Sequence, residues 1–445
     1  MKIIFIRPNI FDCRSSDAME PLSIAILKSL TPADVETVFY DERLAEIPFD
    51  ATADLVAITV ETYTARRSYQ IADNFRRRGI KVVMGGYHPT FLPDECLEHA
   101  DAVVCGDAEG VWLNILADAK SGSLKRIYQD DGSHNLVGID PDRSIFKGKR
   151  YAPISLVQYS RGCKFNCDFC SIRAFYGSNL RQRPVSEVVD EIVSAGRKHV
   201  FLVDDNLFVN KEKARALFEA LIPLKITWSC QISIDITKHP DLVKLMARSG
   251  CITALIGFES LDISSLKQMN KQWNLRGSDY DTAIKVIQDH GIMIYGTFVF
   301  GYDTDTKDSF KKAVDFALRH KFYLANFNPL TPTPATPLFD RLKKDGRLIY
   351  DKWWLHPDFK YGHAMYHPRG MTAEELTEGC FNARKSFNTY SSIARRLISF
   401  KTNLRSPYRT GVYLMSNMIS RREIYRKQGR QLGAKPGARV ECYAE

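Results

Sequence analysis

The stretch YSRGCKFNCDFCSIRAFYG, residues 159–177, places Cys163, Cys167 and Cys170 in the order C-x3-C-x2-C. The chain has ten cysteines among its 445 residues, and the other seven are scattered singly. Such usage is typical of a reducing compartment, where clustered cysteines bind metal more often than they form disulfides. Structural zinc takes four protein ligands, and no Cys or His pair is spaced to complete that set. Three thiolates suit a [4Fe–4S] cluster with one open iron; a zinc ion or three unligated core cysteines are the alternatives.

Six apolar runs between residues 150 and 345 alternate with helical patterns, and the cysteine stretch follows the first run directly. The alternation predicts parallel strands joined by helices. A complete eight-unit barrel needs about 250 residues, so we expect a partial (β/α)6 barrel of the TIM type. Such barrels carry their sites at the carboxyl ends of the strands, where the cysteines would lie. The six runs are 154–160, 199–205, 226–234, 252–259, 292–301 and 322–330.

Residues 1–140 show a second alternation of Val- and Ile-rich runs with helical patterns. It predicts a separate α/β domain with a Rossmann-like parallel sheet that is covered on both faces. The strand runs are 2–6, 35–41, 54–60, 81–86 and 101–106, and the helical patterns are 21–30, 64–79 and 109–119.

Sheets of this kind bind ligands beyond the carboxyl ends of their strands. Gly85, Gly86 and Gly106 lie at such ends and would allow a ligand to approach the backbone closely. His88, in the same region, is a candidate metal or cofactor ligand, or simply a hydrogen-bonding loop residue. Neither a G-x-G-x-x-G fingerprint nor a D-x-H-x-x-G motif occurs.

The chain ends in a helical, basic region, residues 346–445, and a Gly-, Asp- and Pro-rich linker is expected over 128–153. The last 55 residues contain twelve Lys or Arg and three Glu. Within them, 391–406 predicts a basic amphipathic helix that lies on an anionic membrane, caps the barrel, or packs on the core as a solvated tail. Residues 433–445 have the composition of a disordered end.

Charge and hydropathy limit the class of protein. The formal net charge of +10 favours anionic partners, or serves solubility alone. No apolar run approaches the roughly 18 residues of a membrane span, and the short apolar run at the start has no cleavage site after it. We therefore expect a cytoplasmic protein, with a peripheral membrane contact left open by the basic C-terminal region.

The C-x3-C-x2-C motif, with Phe169 before its last cysteine and at the first strand of such a barrel, resembles the radical S-adenosylmethionine (SAM) superfamily. The resemblance implies that the open iron binds the amino and carboxylate groups of SAM. One electron, from a flavodoxin- or ferredoxin-type donor, then cleaves SAM to a 5′-deoxyadenosyl radical. Phe169 becomes a candidate cofactor-binding residue.

The resemblance assigns further SAM contacts to polar residues at the strand ends. Asp204 and Asp205, in VDDN (203–206), stand where the superfamily usually has a Gly-Gly-Glu-like motif for the SAM amino group, with a helix N-cap as the alternative. Glu259 in GFES, Gln231 and Ser233 occupy positions of polar SAM contacts, or are structural. The late segments 298–306 and 328–338 match backbone contacts to adenine, and the second departs from the usual P-G-T by having Ala335.

The two domains together resemble the cobalamin-binding (B12-binding) subgroup, on MGGYHPTFLPDE (84–95), ADAVVCGDAEGVW (100–112) and GHAMYHPRGMTAEEL (362–376). The resemblance implies that the first domain holds cobalamin. Because D-x-H-x-x-G is missing, we expect cobalt without a protein histidine and with its lower face open or water-bound. The loop over residues 61–67 would lie beneath the corrin, with Tyr63 or Arg66 nearest the metal.

The implied function is that of a class B methyltransferase-like enzyme. Such an enzyme methylates an unactivated carbon of a small, lipid-like or tetrapyrrole molecule, which the charge of this chain allows to be anionic. One rival is an oxidative cyclase or hydroxylase that uses the same cofactors without methyl transfer. Others are a cobalamin- or metal-responsive binding protein and an RNA-modifying enzyme, although no RNA-binding pattern is evident and nucleic acid is disfavoured. The sequence names neither the substrate nor an acid–base residue.

Overall fold

The computed structural model of the protein describes residues 1–15, 17–132, 134–275 and 279–433. Most of the segment expected to be disordered, 434–445, lies outside these ranges. Within them, no helix has both the length and the apolar character needed to cross a bilayer.

The first domain is built on a six-stranded parallel sheet in the order β2-β1-β3-β4-β5-β6, which confirms the predicted α/β architecture. Alternate residues of each strand enter opposite cores, so that Ile4 and Ile6 pack against α2 while Ile3 and Phe5 pack against Trp112 on α5. The elements are β1 (Lys2–Arg7), α1 (Leu22–Leu30), β2 (Glu36–Asp41), β3 (Leu55–Thr59), α2 (Ala65–Arg77), β4 (Lys81–Gly85), α3 (Tyr87–Phe91), α4 (Pro93–His99), β5 (Ala102–Cys105), α5 (Trp112–Ser121) and β6 (Ile127–Gln129).

Strand β6 lies partly in the segment expected to be a linker, so that expectation is wrong at its start. The strand has three residues. Tyr128 is buried in the core that contains Phe5 and Trp112, while Ile127 is exposed. A run this short shows no alternation that could be told from a loop.

The second domain is a partial barrel whose six parallel strands follow the order β14-β13-β12-β11-β10-β7, as the six apolar runs predict. In the described residues β7 and β14 do not pair with each other, so the barrel is open. A short antiparallel pair, β8 and β9, flanks the cysteine stretch. The strands are β7 (Ser155–Val157), β8 (Ser160–Arg161), β9 (Arg181–Gln182), β10 (His199–Leu202), β11 (Thr227–Gln231), β12 (Cys251–Glu259), β13 (Met293–Phe300) and β14 (Leu324–Pro329).

The helices between the barrel strands mostly cover its outside, but the first of them follows the cysteine loop and contacts α3 of the first domain. They are α6 (Ser171–Tyr176), α7 (Val185–Ala195), α8 (Lys211–Leu221), α9 (Pro240–Arg248), α10 (Ile263–Gln268), α11 (Tyr280–Asp289), α12 (Lys307–Arg319) and α13 (Pro337–Lys344). The chain then continues into α14 (Ala373–Phe387), α15 (Tyr390–Leu397) and α16 (Pro407–Lys427), which confirms the helical C-terminal region.

The basic helix expected over 391–406 is shorter than predicted, because α15 ends at Leu397. Arg396, one of the basic residues of this segment, is 1% exposed and donates to the carbonyls of Phe322 and Tyr323 just before β14. Burial lowers the pKa of Arg396 to about 10. Helical periodicity indicates that α15 has a polar and an apolar face. It does not indicate that Arg396 is buried, because this depends on backbone carbonyls elsewhere in the chain that accept its hydrogen bonds.

A buried polar network joins the first domain to the segment before α14. Glu95 on α4 accepts hydrogen bonds from Tyr69 (2.8 Å) and from the indole of Trp354 (2.9 Å), and lies 3.1 Å from His88 Nε2. Its other oxygen lies 3.0 Å from Lys352 Nζ. Burial alone would raise the pKa of Glu95, but these partners outweigh it and lower the pKa to about 2.

We expect Glu95→Gln to flatten the acid sensitivity of the protein. The depressed pKa gives Glu95 a contribution to stability that is present above its ordinary pKa of 4.5 and lost as the pH falls toward 2. The variant should lose on the order of 1–3 kcal/mol near neutral pH and less at acid pH. Melting temperatures measured across this pH range test it, with Glu98→Gln on the exposed side of α4 as the control. Equal pH slopes in the wild type and Glu95→Gln would contradict the assignment.

Candidate active site between the two domains

The three clustered cysteines lie in a loop that begins at Gly162, directly after β8. Gly162 has φ 91°, and a Cβ there would stand 2.4 Å from the carbonyl oxygen of Asn179, so the loop requires glycine at this point. Cys167 is buried, and Cys163 and Cys170 are half-buried. The loop therefore presents its thiols from the interior of the protein, at the carboxyl end of the barrel.

Burial raises the pKa of Cys167 to about 12 and also raises that of Cys170, with a smaller contribution from the charges of neighbouring cysteines. The thiols of Cys167 and Cys170 therefore stay protonated without a metal, and a bound metal would displace their protons. In the described residues no three Cys, His, Asp or Glu side chains are grouped as a single ion requires. Structural zinc takes four protein ligands, whereas three thiols would leave one iron of a [4Fe–4S] cluster open, so the donor set suits a cluster.

Asp168, inside the cysteine loop, anchors it to the far side of the barrel. Its carboxylate accepts hydrogen bonds from Tyr302 after β13 (2.6 Å) and from Arg341 on α13 (2.8 Å). Its backbone binds Met269 and Leu338. Asp168 could not be recognised from the sequence, because its partners lie over a hundred residues away and no local pattern indicates them.

The motif VDDN holds the loop from the other side. Asp204 is buried, and its carboxylate accepts hydrogen bonds from the backbone N–H of Tyr159 (3.2 Å) and from both the N–H and the hydroxyl of Ser160. Burial raises the pKa of Asp204 to about 7. With both oxygens bonded inside the protein, Asp204 supports the chain segment that leads to the cysteines.

The next two residues of the motif reach the cysteine loop itself. Asp205 accepts from the N–H of Gly162 (2.8 Å), and burial raises its pKa to about 6. Asn206 lies with its amide nitrogen 3.9 Å from Cys163 Sγ, and its orientation is set because its oxygen accepts from the N–H of Ser233 (3.1 Å). Asn206 belongs to the motif VDDN, but within that motif the resemblance assigned SAM contacts only to Asp204 and Asp205.

The remaining residues predicted to contact SAM lie around the same end of the barrel. Glu259, at the end of β12, has φ 62° and forms a buried ion pair with Lys271 at 2.7 Å. Gln231 is exposed and donates to the carbonyl of Asp205 (3.0 Å). Phe169 packs against the small apolar cluster that contains Leu266, Met269, Tyr302 and Tyr366. The structure thus brings these residues together, and their contacts with SAM stay a prediction.

A cavity of about 330 Å³ lies between the carboxyl edge of the first sheet and the barrel. The three predicted glycines, Gly85, Gly86 and Gly106, line it, and Gly86 has φ 113° with Val60 O 2.9 Å from where a Cβ would be. The barrel contributes the other wall, which includes Gln158, Arg161, Phe175, Tyr176, Val203 and Asp205. Both domains therefore share one cavity beside the cysteine loop.

Tyr63, Arg66 and His88 are not among the described residues that line this cavity. Tyr63 bonds Thr331 (3.2 Å) and packs against Trp353. His88 is fully buried in the network of Glu95, as described above. The described lining contains many apolar side chains, as cofactor sites commonly do. The expectation that cobalt has no protein histidine stays a prediction. The residues that would hold cobalamin are those at the three glycines and the neighbouring strand ends.

Arg161 crosses from the barrel to the first domain at the edge of the cavity. Its guanidinium pairs with Asp107 (2.9 Å) and Glu109 (2.6 Å), both from the loop after β5. Arg181 on β9 also binds Asp107 (2.6 Å). Burial alone would lower the pKa of Arg161, but the two carboxylates raise it above its usual value.

Cys167→Ala should abolish the brown absorbance of the reconstituted cluster. The variant retains only Cys163 and Cys170, and two thiolates are too few to hold the cluster. Cys380→Ala removes an equally buried thiol on α14 and should retain the full absorbance. Iron content and visible spectra after anaerobic reconstitution test both variants. A Cys167→Ala protein with wild-type absorbance would refute the ligand assignment.

Comparison with known proteins agrees with this geometry. A model of the radical SAM superfamily matches residues 157–317, and a model of the B12 binding domain matches residues 21–116. The chain is 31% identical over 390 residues to the bacteriochlorophyllide d C-12(1)-methyltransferase of Chlorobaculum tepidum, which covers 85% of this chain and 84% of that protein. It is 31% identical over 411 residues to the bacteriochlorophyllide d C-8(2)-methyltransferase of the same organism, over 84% and 90% of the two chains.

Among solved structures, the cobalamin-dependent S-adenosylmethionine radical enzyme OxsB with aqua-cobalamin and S-adenosylmethionine bound shares the fold. Its TM-score is 0.67 at 15% identity, over 94% of this chain and 71% of that chain. The cysteine loop, the two-domain cavity and the matches together identify the cofactors as a [4Fe–4S] cluster, SAM and cobalamin. The chain belongs to the cobalamin-binding branch of the radical SAM superfamily.

Proposed function

We propose that this chain is a C-methyltransferase that acts on an unactivated carbon of a hydrophobic, anionic small molecule of the tetrapyrrole type. The observation that carries the proposal is the single cavity that both domains line beside the cysteine loop. Methyl transfer requires the radical source and the methyl carrier to reach one substrate, and a shared cavity allows this. The two relatives at 31% identity, which cover most of this chain, support a tetrapyrrole substrate.

When bound, the cluster and SAM supply a carbon-centred radical, and cobalamin supplies the methyl group. The protein's own part is to hold and shield. Three cysteines hold the iron, while Asp168 and the motif 203–206 hold their loop. Tyr87, Phe175 and Tyr176 form an aromatic wall, with ring centroids 4.7 Å and 4.6 Å apart in turn. Burial raises the pKa of both tyrosines, so they stay neutral and add no charge to the cavity wall.

The reaction needs an external electron. We propose a flavodoxin- or ferredoxin-type donor, because proteins of this kind are acidic and the net charge of +10 attracts anionic partners. A cytoplasmic location, where such donors act, stays a prediction of the sequence. The cyclase rival uses the same cofactors, and the level of identity to the two methyltransferases favours methylation over it.

Product analysis separates these functions. The protein, reconstituted anaerobically with cobalamin, should convert SAM to both 5′-deoxyadenosine and S-adenosylhomocysteine in the presence of reductant and a bacteriochlorophyllide. Cys167→Ala should form no 5′-deoxyadenosine, whereas Cys380→Ala should form as much as the wild type. 5′-Deoxyadenosine without S-adenosylhomocysteine would indicate the cyclase rival. If the cluster is intact and neither product forms, an enzymatic role is refuted.

Arg161→Met should loosen the joint between the domains. It leaves Glu109 as a buried carboxylate without its ion-pair partner and leaves Asp107 paired with Arg181 alone. Breaking a buried pair in this way costs about 3–5 kcal/mol. We expect a lower melting temperature and loss of cobalamin on gel filtration, with the iron content retained. The control is Arg215→Met, whose pair with Asp241 is exposed at the surface. If Arg161→Met retains cobalamin and melts as the control does, the joint does not depend on this residue.

A further inference from the structure

Helix α16 buries polar side chains and leaves several large apolar ones exposed. Its buried side chains are Tyr413, Asn417 and Glu423. Asn417 is fully buried, accepts from Arg396 (2.9 Å) and donates to the carbonyl of Tyr323 (3.1 Å). A surface helix of a globular protein normally turns its apolar side chains inward. In α16 Tyr413 packs inward in this way, but two polar side chains are buried beside it while methionines and tyrosines elsewhere on the helix are exposed.

The outward residues form one continuous row, which we call the α16 stripe: Tyr408, Met415, Met418, Arg422 and Tyr425. Steps of seven, three, four and three residues place them on a single face of a helix. Met415 is 58% exposed, and Tyr408 and Tyr425 are each 50% exposed. At 1.5 Å per residue the stripe extends for about 25 Å. An exposed apolar row of this length marks a contact surface.

The chain segment that carries the stripe is strongly basic, although Asp17 and Asp289 from elsewhere in the chain pair with Lys427 and Lys401. Residues 379–433 contain twelve Lys or Arg and a single acidic residue, Glu423. Glu423 is buried and pairs with Arg426 (3.1 Å) and Lys427 (3.1 Å). Arg422 within the stripe is exposed, as are Arg395 and Arg405 nearby in the chain. The surface therefore combines exposed methionine and tyrosine with cations.

We infer that the α16 stripe lies flat on an anionic lipid surface. Tyrosine at both ends, methionine between them and arginine on the same face match the composition of helices that lie in a membrane interface. Anionic headgroups complement the surrounding cations. A second copy of the chain fits less well, because two stripes face to face would bring Arg422 and its basic neighbours against like charges.

The contact does not serve the cavity directly. Ser416 and Asn417 bind Tyr323, which immediately precedes β14, so this part of α16 lies at the amino end of the barrel. The cysteines and the cavity lie at the carboxyl end of the strands. The stripe would hold the enzyme on the membrane whatever its reaction, so the inference stands or fails apart from the proposed function.

Vesicle flotation with the full chain carrying its cluster, under anaerobic conditions, tests the inference. The wild type should float with vesicles of mixed phosphatidylcholine and phosphatidylglycerol, less so at high salt, and not with phosphatidylcholine alone. The double variant Met415→Glu/Met418→Glu should lower the partition coefficient about tenfold or more, because it buries less apolar surface and adds negative charge. Val193→Glu, a residue 62% exposed on α7, is the matched control and should float as the wild type does.

Two results would overturn the inference. The first is a wild type that does not float with the anionic vesicles, or a double variant that floats as well as Val193→Glu. The second is a dimer in light scattering that the double variant converts to a monomer while vesicle binding is absent, which would assign the stripe to a second copy. Visible absorbance and melting temperature of the double variant, expected at wild-type values, show that its cluster and fold are intact.

Discussion

The ion pairs of Arg161 with Asp107 and Glu109 fix how the two sheets face each other, and the rest of the site depends on that orientation. Arg161 stands two residues before the first cluster cysteine, while its partners follow β5 of the first domain. A buried charge tolerates little displacement of its partners, because separation would leave it neither paired nor hydrated. These pairs therefore help to set the distance between the cysteine loop and the first domain, together with the buried network of Glu95 and Trp354.

A similar logic governs the cysteine loop. Asp168 fastens it to β13 and α13, and Asp204 and Asp205 fasten its approach to the end of β10. Carboxylates serve here because they accept several hydrogen bonds at once, so one side chain can hold two or three backbone groups. The loop is thereby attached to both sides of an open barrel, which would otherwise be free to widen.

The strands and the cysteine motif could be predicted because each is a local pattern. The six apolar runs correspond to the six parallel strands of the barrel, and the C-x3-C-x2-C motif can be recognised within eight residues. Two kinds of feature could not be predicted: contacts between residues far apart in the chain, and the choice of which helix face is buried. Asp168 and Arg341 are separated by 173 residues. Arg396 and Asn417 look like surface residues until the carbonyls before β14 are placed beside them. Ala335, which departs from the usual P-G-T, adopts φ 63°, a left-handed conformation that favours glycine.

The hydrogen bonds that support the cysteine loop come from carboxylates that are not cysteines, and this bears on how tightly the metal is held. Asp168, Asp204 and Asp205 restrict the backbone around residues 162–170, so they offset part of the conformational entropy that ordering this loop costs. The binding free energy of the metal includes that ordering cost. The affinity of the three thiols for iron therefore depends on acidic side chains as well as on the cysteines.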